Sequence, residues 1–233
     1  MKRSMLSILA LAAFASSGSG VARAGLINGS FEDPPLPSAG NYAEFGTTGG
    51  LPGWTIEAGN VDVVKSINSY TDWSGNVLPA LTAPDGNNLL DLNGDQPGTL
   101  SQVMAATAGQ LYQLTFAYSG YRDQQYPGSS LDDGIRVQLF DGNSNAILAQ
   151  PADIFIQLPN LYNWTAVTVQ VTATSSLLGV RFQSIFNGND GYIGAVIDNV
   201  VLAPAASTVP EPPSCLLMAA AGAMLLAYRR RGR

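Results

Sequence analysis

The chain has 233 residues, a formal net charge of −6 and no histidine, and Cys215 is its one cysteine. These counts exclude His-dependent catalytic triads, zinc sites built on His or Cys, and an intrachain disulfide. Charged residues make up 12% of the chain, about half the usual share. The composition favours an all-β extracellular module whose metal chemistry, if it has any, uses the oxygen ligands that calcium prefers.

Residues 1–24 have the pattern of a secretory signal peptide. Lys2 and Arg3 precede an apolar run from Met5 to Ala15, and Ala22 and Ala24 supply the small residues of a cleavage site. Without this segment and the C-terminal tail, four basic residues face sixteen acids, a net charge of −12. Because such a domain repels a phosphate backbone, nucleic-acid binding is excluded.

The region from residue 25 to residue 202 reads as short β-segments separated by Gly, Asn, Asp and Pro clusters. The clearest is Gln110 to Ser119, in which large apolar side chains alternate with polar or small ones. The other predicted strands are Leu26–Phe31, Trp54–Glu57, Val61–Lys65, Asn88–Leu92, Leu100–Met104, Ile135–Leu139, Trp164–Ala173, Leu177–Phe186 and Ile193–Leu202. About nine or ten strands without a helix predict a jelly-roll β-sandwich whose first and last strands lie close together.

The longest irregular stretches run from Glu32 to Pro52, Ser66 to Pro84 and Gly120 to Gly134. Sugar rings have apolar faces and polar rims, so the modules that bind them combine exposed aromatic rings with Asp, Asn, Gln and Arg. Two stretches offer this mixture, and the candidate ligand-binding residues are Tyr70, Asp72, Trp73, Tyr121, Arg122, Asp123 and Tyr126. The alternative is that the aromatic rings pack as lids and that Arg122 and Lys65 form ion pairs within the domain.

Two acids stand at opposite ends of the predicted sandwich. Glu32 closes the first predicted strand and Asp198 lies in the last. A jelly roll that joins these strands places the two carboxylates together, where like charges raise one pKa or recruit a cation. The alternative is that both are solvated and never meet.

Several other polar residues receive structural interpretations. The runs that begin at Asp91 and Asp141 start like EF-hand loops but lack the turn glycine and the final acid that such loops need. We expect the run at Asp141 to form a hairpin turn instead. Gln102, in an otherwise apolar strand, is expected to bond to backbone groups, and Trp54 and Trp164 are expected to pack in the core.

The C-terminal region combines three features. Residues 203–214 form a Pro-rich linker, Cys215 to Tyr228 is a run of 14 apolar or small residues, and four arginines lie in the last five positions. As a helix the run would span about 21 Å, less than the roughly 30 Å of a hydrocarbon core, so it is a marginal membrane anchor with its basic flank in the cytoplasm. The alternative is a plain single-span anchor on a Pro-rich stalk.

Together with the motif Pro210-Glu211-Pro212, these features resemble the PEP-CTERM sorting signal of Gram-negative bacteria. The resemblance implies that an exosortase recognises and cuts the tail after a transient stay in the inner membrane. It also implies delivery to the cell surface or the exopolysaccharide matrix.

The predicted domain carries an ordered series of short motifs. They are Asn28-Gly29-Ser30-Phe31-Glu32, Pro52-Gly53-Trp54, Gly59-Asn60-Val61-Asp62, Asp91-Leu92-Asn93-Gly94, Gly98-Thr99-Leu100-Ser101-Gln102, the segment Gly109–Phe116, Trp164 at the start of a late strand, and Ile197-Asp198-Asn199-Val200. This order resembles the DUF642 and choice-of-anchor C families and, more distantly, galactose-binding-like jelly rolls that include many carbohydrate-binding modules. The resemblance implies a structural calcium ion, for which the ligand candidates are Glu32, Asp198 and Asn28.

The predicted function is that of a non-catalytic surface or matrix protein with a carbohydrate-binding-like module, and the expected partner is the cell's own exopolysaccharide or another glycan. We assign no catalytic residue. Two alternatives stay open: a structural or protein-interaction module, and a glycosidase or lyase that uses a pair of carboxylates.

Overall fold

The computed structural model describes residues 25–36, 41–71, 75, 77–121, 133–157, 161–185 and 195–205, and for residues 70 and 71 it describes only the backbone. These residues contain fourteen strands and no helix. The strands are β1 Tyr42–Gly46, β2 Thr55–Ala58, β3 Asn60–Lys65, β4 Tyr70–Thr71, β5 Val77–Leu78, β6 Asn88–Asp91, β7 Thr99–Ala105, β8 Leu111–Gly120, β9 Gly134–Asp141, β10 Ile147–Ala149, β11 Ile154–Phe155, β12 Thr165–Thr172, β13 Leu177–Ile185 and β14 Ala195–Pro204.

Twelve of the strands form two antiparallel sheets that pack face to face, and β4 and β5 pair as a separate two-stranded sheet. Sheet I has the order β1-β3-β6-β14-β8-β12, and sheet II has the order β10-β9-β13-β7-β2, with β11 also paired to β9. From β6 to β9, and again from β12 to β14, each long strand lies in the sheet opposite its predecessor. This alternation between sheets confirms the predicted jelly-roll β-sandwich.

The core lies between the sheets and follows from the alternation along the strands. On β8, Tyr112, Leu114, Phe116 and Tyr118 are all buried. The Phe182 ring of sheet II meets Phe116 edge to face, with ring centroids 5.1 Å apart. Aromatic packing of this kind joins the two sheets across the sandwich.

The outer face of sheet I carries a second, smaller apolar cluster, called here the outer cluster. Its buried members are Val64, Leu81, Ala83, Leu89 and Val196, and the partly buried Ile67, Tyr121, Tyr162 and Trp164 pack against them. The Trp164 indole N–H donates to the carbonyl of Thr82 at 2.7 Å. Loops therefore cover part of this face and seal it from water. Trp54 packs in the main core as expected, whereas Trp164 is only partly buried and packs on the outer cluster instead.

The predicted first strand, Leu26–Phe31, is wrong. This segment forms bends and turns, and Asn28 and Phe31 adopt left-handed backbone angles with φ of 54° and 56°. Such angles break the two-residue alternation of a strand. The predicted neighbourhood is nevertheless confirmed, because the Val200 N–H of β14 donates to the Gly29 carbonyl at 2.9 Å.

A side chain fixes the same segment to sheet II. The Gln102 carboxamide accepts from the Ile27 N–H at 2.6 Å and donates to the Ile27 carbonyl at 2.9 Å. This confirms that Gln102 is satisfied by backbone groups. The segment thereby contacts both sheets at once.

Sequence patterning missed several short strands. β1, β4 and β5 lie within stretches predicted as loops. All three strands are short, and β1 and β5 are partly exposed, so no long run of apolar alternation marks them. The predicted signal peptide with Ala22 and Ala24, and the sorting motif Pro210-Glu211-Pro212, lie outside the described residues. Within the described ranges there is no helix that could span a membrane.

Candidate functional site

Glu32 and Asp198 meet at one loop, the segment Asp85–Asn88 that leads into β6. Asp198 Oδ2 accepts from the Asp85 N–H at 2.9 Å. Glu32 Oε1 accepts from the N–H groups of Asn87 and Asn88, at 2.7 Å each. The two acids predicted to converge are therefore held by neighbouring residues of the same loop.

The two carboxylates have different surroundings. Asp198 is fully buried, and its burial raises the pKa of that carboxyl to about 7, with further contributions from the charges of Asp85 and Glu32. Glu32 is packed against loop backbone, since Gly86 has a φ of +83° and a side chain there would run into the Glu32 carboxylate. The loop 85–88 therefore holds both acids by its backbone N–H groups and needs glycine at position 86.

Asn28, the third predicted calcium ligand, makes other contacts. Its Oδ1 accepts from the Asp33 N–H at 3.0 Å, and its Nδ2 donates to the carbonyls of Asp33 and Pro52. Among the described residues, no group of three or more His, Cys, Asp or Glu side chains is arranged to hold a metal ion. The calcium site stays a prediction.

A surface cavity of about 440 Å³ opens beside Glu32. Its wall combines the apolar Pro35 and Leu36 with polar and charged groups, and its lining residues are Glu32, Pro35, Leu36, Lys65, Ser66, Asn87 and Asn88. A second cavity of about 220 Å³ shares Lys65 and Ser66 with it. The larger volume lies within the range of small-molecule sites.

Of the loop residues predicted to bind ligand, Tyr121 is described in full. Its hydroxyl donates to Asp91 Oδ2 at 2.9 Å and its ring packs on the outer cluster. Tyr121 therefore packs as a lid, which was the alternative interpretation. For Tyr70 only the backbone, in β4, is described, and the remaining candidates Asp72, Trp73, Arg122, Asp123 and Tyr126 lie outside the described residues.

Sequence reasoning missed a row of acids on the outer face of sheet I. Glu44 of β1 pairs with Asp62 of β3, and Asp62 pairs with Asp91 of β6. Burial raises the pKa of Asp62 to about 6 and raises the pKa of Asp91 well above its ordinary value. The available signal was an acid inside the apolar run Leu89–Leu92, since a charge in such a run is expected to be buried and paired.

Asp141 behaves as predicted. It ends β9 and starts a hairpin turn into β10, and its Oδ1 accepts from the N–H groups of Asn143 and Ser144 at 2.9 and 3.0 Å. The Thr174 hydroxyl donates to Asp141 Oδ2 at 2.5 Å. These donors, that of Thr174 foremost, hold the pKa of Asp141 below its usual range, and the predicted hairpin is confirmed.

Sequence comparison adds two similarities. Residues 208–231 match the PEP-CTERM protein-sorting motif, which indicates an exported, surface-sorted protein. Halomucin of Haloquadratum walsbyi is 32% identical over 177 residues, which is 74% of this chain and 2% of halomucin. The chain thus spans a very small part of that relative.

Among solved structures, the chain resembles several carbohydrate-binding modules. TmCBM61 in complex with β-1,4-galactotriose has a TM-score of 0.43 at 14% identity, over 68% of this chain and 92% of that one. A family 16 module has a TM-score of 0.44 at 16% identity, over 76% and 98%. A family 35 module from Clostridium thermocellum has a TM-score of 0.40 at 11% identity, over 71% and 100%.

The family assignment rests on most of the chain. Residues 24–203, which include both sheets and the Glu32 and Asp198 site, match the family described as "Protein of unknown function (DUF642)". The resemblance seen in the ordered sequence motifs is confirmed, and the chain belongs to the DUF642 family.

Proposed function

We propose that this protein is a non-catalytic glycan-binding module displayed on the cell surface or in its polysaccharide matrix. The observation that carries the proposal is the cavity beside Glu32, which has an apolar wall of Pro35 and Leu36 and a polar rim. A pyranose presents the same combination, an apolar face and a ring of hydroxyl groups. At about 440 Å³, the cavity has room for one or two sugar units at a chain end.

The rim offers both kinds of hydrogen-bonding group. Glu32 supplies acceptor oxygens, and Lys65 and the amide of Asn87 supply donors. The Glu32 carboxylate is fixed by two backbone N–H groups at 2.7 Å, so its position is set before a ligand arrives. Fixed polar groups lower the ordering cost of binding.

The acids that the described residues bring together do not suit glycoside hydrolysis. Both glycosidase mechanisms need two carboxyl groups that reach the substrate across an open cleft. Asp198 is 0% exposed and Asp91 is 2% exposed, so no substrate reaches them. This burial supports a binding role over a catalytic one.

Glycan-array binding followed by calorimetry tests the proposal, with the processed protein recovered from the cell surface. Asn87→Ala, which removes one rim amide, should weaken binding about fivefold, the value of one net hydrogen bond. Gln150→Ala, at an exposed glutamine that directly follows β10 of sheet II, is the matched control and should leave affinity unchanged. If no glycan binds the wild type, the protein is a structural or protein-interaction module.

We also propose that an exosortase-type protease removes the C-terminal tail. The match of residues 208–231 to the sorting motif supports this. Mass spectrometry of the protein from the native cell surface should detect no peptide containing residues 229–233. Recovery of that peptide from the surface-exposed protein contradicts the proposal.

Calcium is proposed as a structural ion at Glu32 and Asp198. Carboxylate oxygen atoms are the hard ligands that calcium prefers, and the repulsion that Asp85 and Glu32 exert on the Asp198 carboxyl is the kind that a divalent ion relieves. The further ligands would be backbone carbonyls. The ion would stabilise the loop 85–88 without entering any reaction.

A further inference from the structure

The cross-strand register places three carboxyl groups side by side. Asp62 lies directly opposite Glu44 on one side and Asp91 on the other. Residues paired in this way point to the same face, with Cβ atoms about 5 Å apart. Val61 and Val63 on either side of Asp62 belong to the main core, so Asp62 and its two partners occupy the outer face of sheet I.

The inner two members of this row differ in their hydrogen bonds. Asp91 Oδ1 accepts from the Asn93 N–H and its Oδ2 accepts from the Tyr121 hydroxyl, each at 2.9 Å. Asp62 Oδ1 is buried and receives no hydrogen bond from any described residue. A buried acceptor without a donor is costly. Protonation of the Asp62 carboxyl, which turns it into a donor, is therefore favoured.

A further acceptor faces the same place. An atom at the Cβ position of Gly94 would lie 3.2 Å from Asp62 Oδ1 and 2.9 Å from Asn60 Oδ1. The Asn60 oxygen already accepts from the Gln96 N–H at 2.7 Å. Both oxygen atoms therefore lie close to Gly94, and a protonated carboxyl is a group that can donate a hydrogen bond among acceptors of this kind.

The charged surroundings point in the same direction. Glu44 and Asp95 act on Asp62, and Asp62 and Asp133 act on Asp91. Tyr121 is the further titratable group in contact with the pair. In the described part of the chain, every charge found to act on the pair is itself negative, and both carboxyl pKa values are raised.

We propose that Asp62 and Asp91 share one proton at neutral pH and that this proton fastens β3 to β6. The proton makes one carboxyl a donor to the other, and Asp91 in turn holds the Tyr121 hydroxyl. The pair acts as one titrating unit. Because the folded state binds the proton more tightly than the unfolded chain does, folding stability falls as pH rises through the range of the pair. The inference goes beyond glycan binding and does not depend on it.

Unfolding of the full chain between pH 4 and pH 9 tests the proposal. The difference of about two units between the ordinary pKa of 3.8 and about 6 for Asp62 corresponds to a loss of about tenfold to a hundredfold in the folding constant, the lower figure allowing for solvent screening. Asp62→Asn, whose amide replaces the shared proton as a donor, should remove that loss and raise stability at pH 8. Glu44→Gln, at the exposed member of the row, removes one of the charges that raise the Asp62 pKa, so it should lessen the slope without removing it.

The carbon-13 titration of the aspartate carboxyl groups in the wild-type protein reads the proton directly. One carboxyl of the pair should stay protonated at pH 7. The proposal is overturned if both are ionised at pH 7, if Asp62→Asn keeps the wild-type slope, or if calcium displaces the proton from the pair. If Asp62→Asn does not fold, the wild-type titration alone decides.

Discussion

Asp91 of sheet I and Asp141 of sheet II make the same local contact with opposite electrostatic results. Each accepts, through Oδ1, the N–H of the asparagine two positions later at 2.9 Å. Each also accepts a hydroxyl through Oδ2, from Tyr121 in one case and Thr174 in the other. Yet the pKa of Asp91 is raised and that of Asp141 is lowered.

The difference comes from what lies beyond the turn. Both side chains are shielded from solvent, but Asp91 lies deeper in the protein and beside the charges of Asp62 and Asp133. A third donor, the Ser144 N–H, also reaches Asp141. Burial penalises the charged form and hydrogen-bond donors favour it. The comparison shows that a turn motif fixes the local geometry of an aspartate, whereas burial and neighbouring charges set its pKa.

The largest expected effect comes from substitution of Gly86, which packs against Glu32. Like Asp141, Glu32 accepts hydrogen bonds from two backbone N–H groups. Gly86→Ala should cost about 2 to 4 kcal/mol, because the residue must keep a left-handed φ and its Cβ meets the carboxylate. Gly109→Ala is the matched control, since Gly109 has a similar φ of +81° with open space around it. Urea unfolding measures both, and equal losses would mean that contact with Glu32 does not matter.

The next largest expected effect is the rise in Tm on addition of calcium. This rise should depend on Asp198 and should not depend on Asp141. A free concentration of about 100 times Kd stabilises the folded state by about 2.7 kcal/mol, which raises Tm by several degrees. Asp198→Ala should abolish most of that shift, and Asp141→Ala should keep it. Equal melting temperatures of the wild type in calcium and in chelator would contradict a calcium site.

Substitution at the two matched turns should give opposite results. Asp141→Ala removes the acceptor for three donors and should lower Tm by several degrees at pH 7. The low pKa of Asp141 in the folded state contributes stability at pH values above 3.8, its ordinary pKa, and this stability is lost as pH falls. The loss of Tm in the variant should therefore shrink in acid.

Asp91→Asn keeps an acceptor for Asn93 and should not lower Tm at pH 8. Equal losses in scanning calorimetry would refute the contrast.

The smallest effect is expected where opposite charges meet on the surface. Arg136 donates to Asp153 at 2.7 Å, with side-chain exposures of 36% and 23%. Arg136→Gln should cost less than about 1 kcal/mol in chemical denaturation, because exposed ion pairs are screened by water and salt. A larger loss would show that charge pairing outweighs burial in this strongly acidic domain.

Most long strands could be predicted from the sequence because their burial alternates. β8 and β13 match their predicted ranges to within a residue or so, and the Asp141 hairpin follows from its turn residues. The segment Leu26–Phe31 could not be predicted correctly, since its two left-handed residues are an Asn and a Phe, and a Phe gives no sign of that conformation.

The candidate sites were harder to predict for a different reason. The meeting of Glu32 with Asp198 follows from closing the sandwich, and the sequence order suggests it. The Asp62–Asp91 pair depends on the register between β3 and β6, and a shift of one residue would place the two acids on opposite faces. The cavity wall is assembled from three separate segments, which no local pattern connects.

The hydrogen bond from the Val200 N–H to the Gly29 carbonyl also bears on the order of assembly. The two residues are 171 positions apart, at residues 29 and 200, and the same N-terminal segment is fixed by Gln102. When the chain emerges with its N-terminus first, the segment around Gly29 lacks its partner until β14 has emerged. Contacts between residues so far apart in sequence form slowly. We therefore expect this end of the sandwich, where the first described residues meet the last strand, to close late in folding.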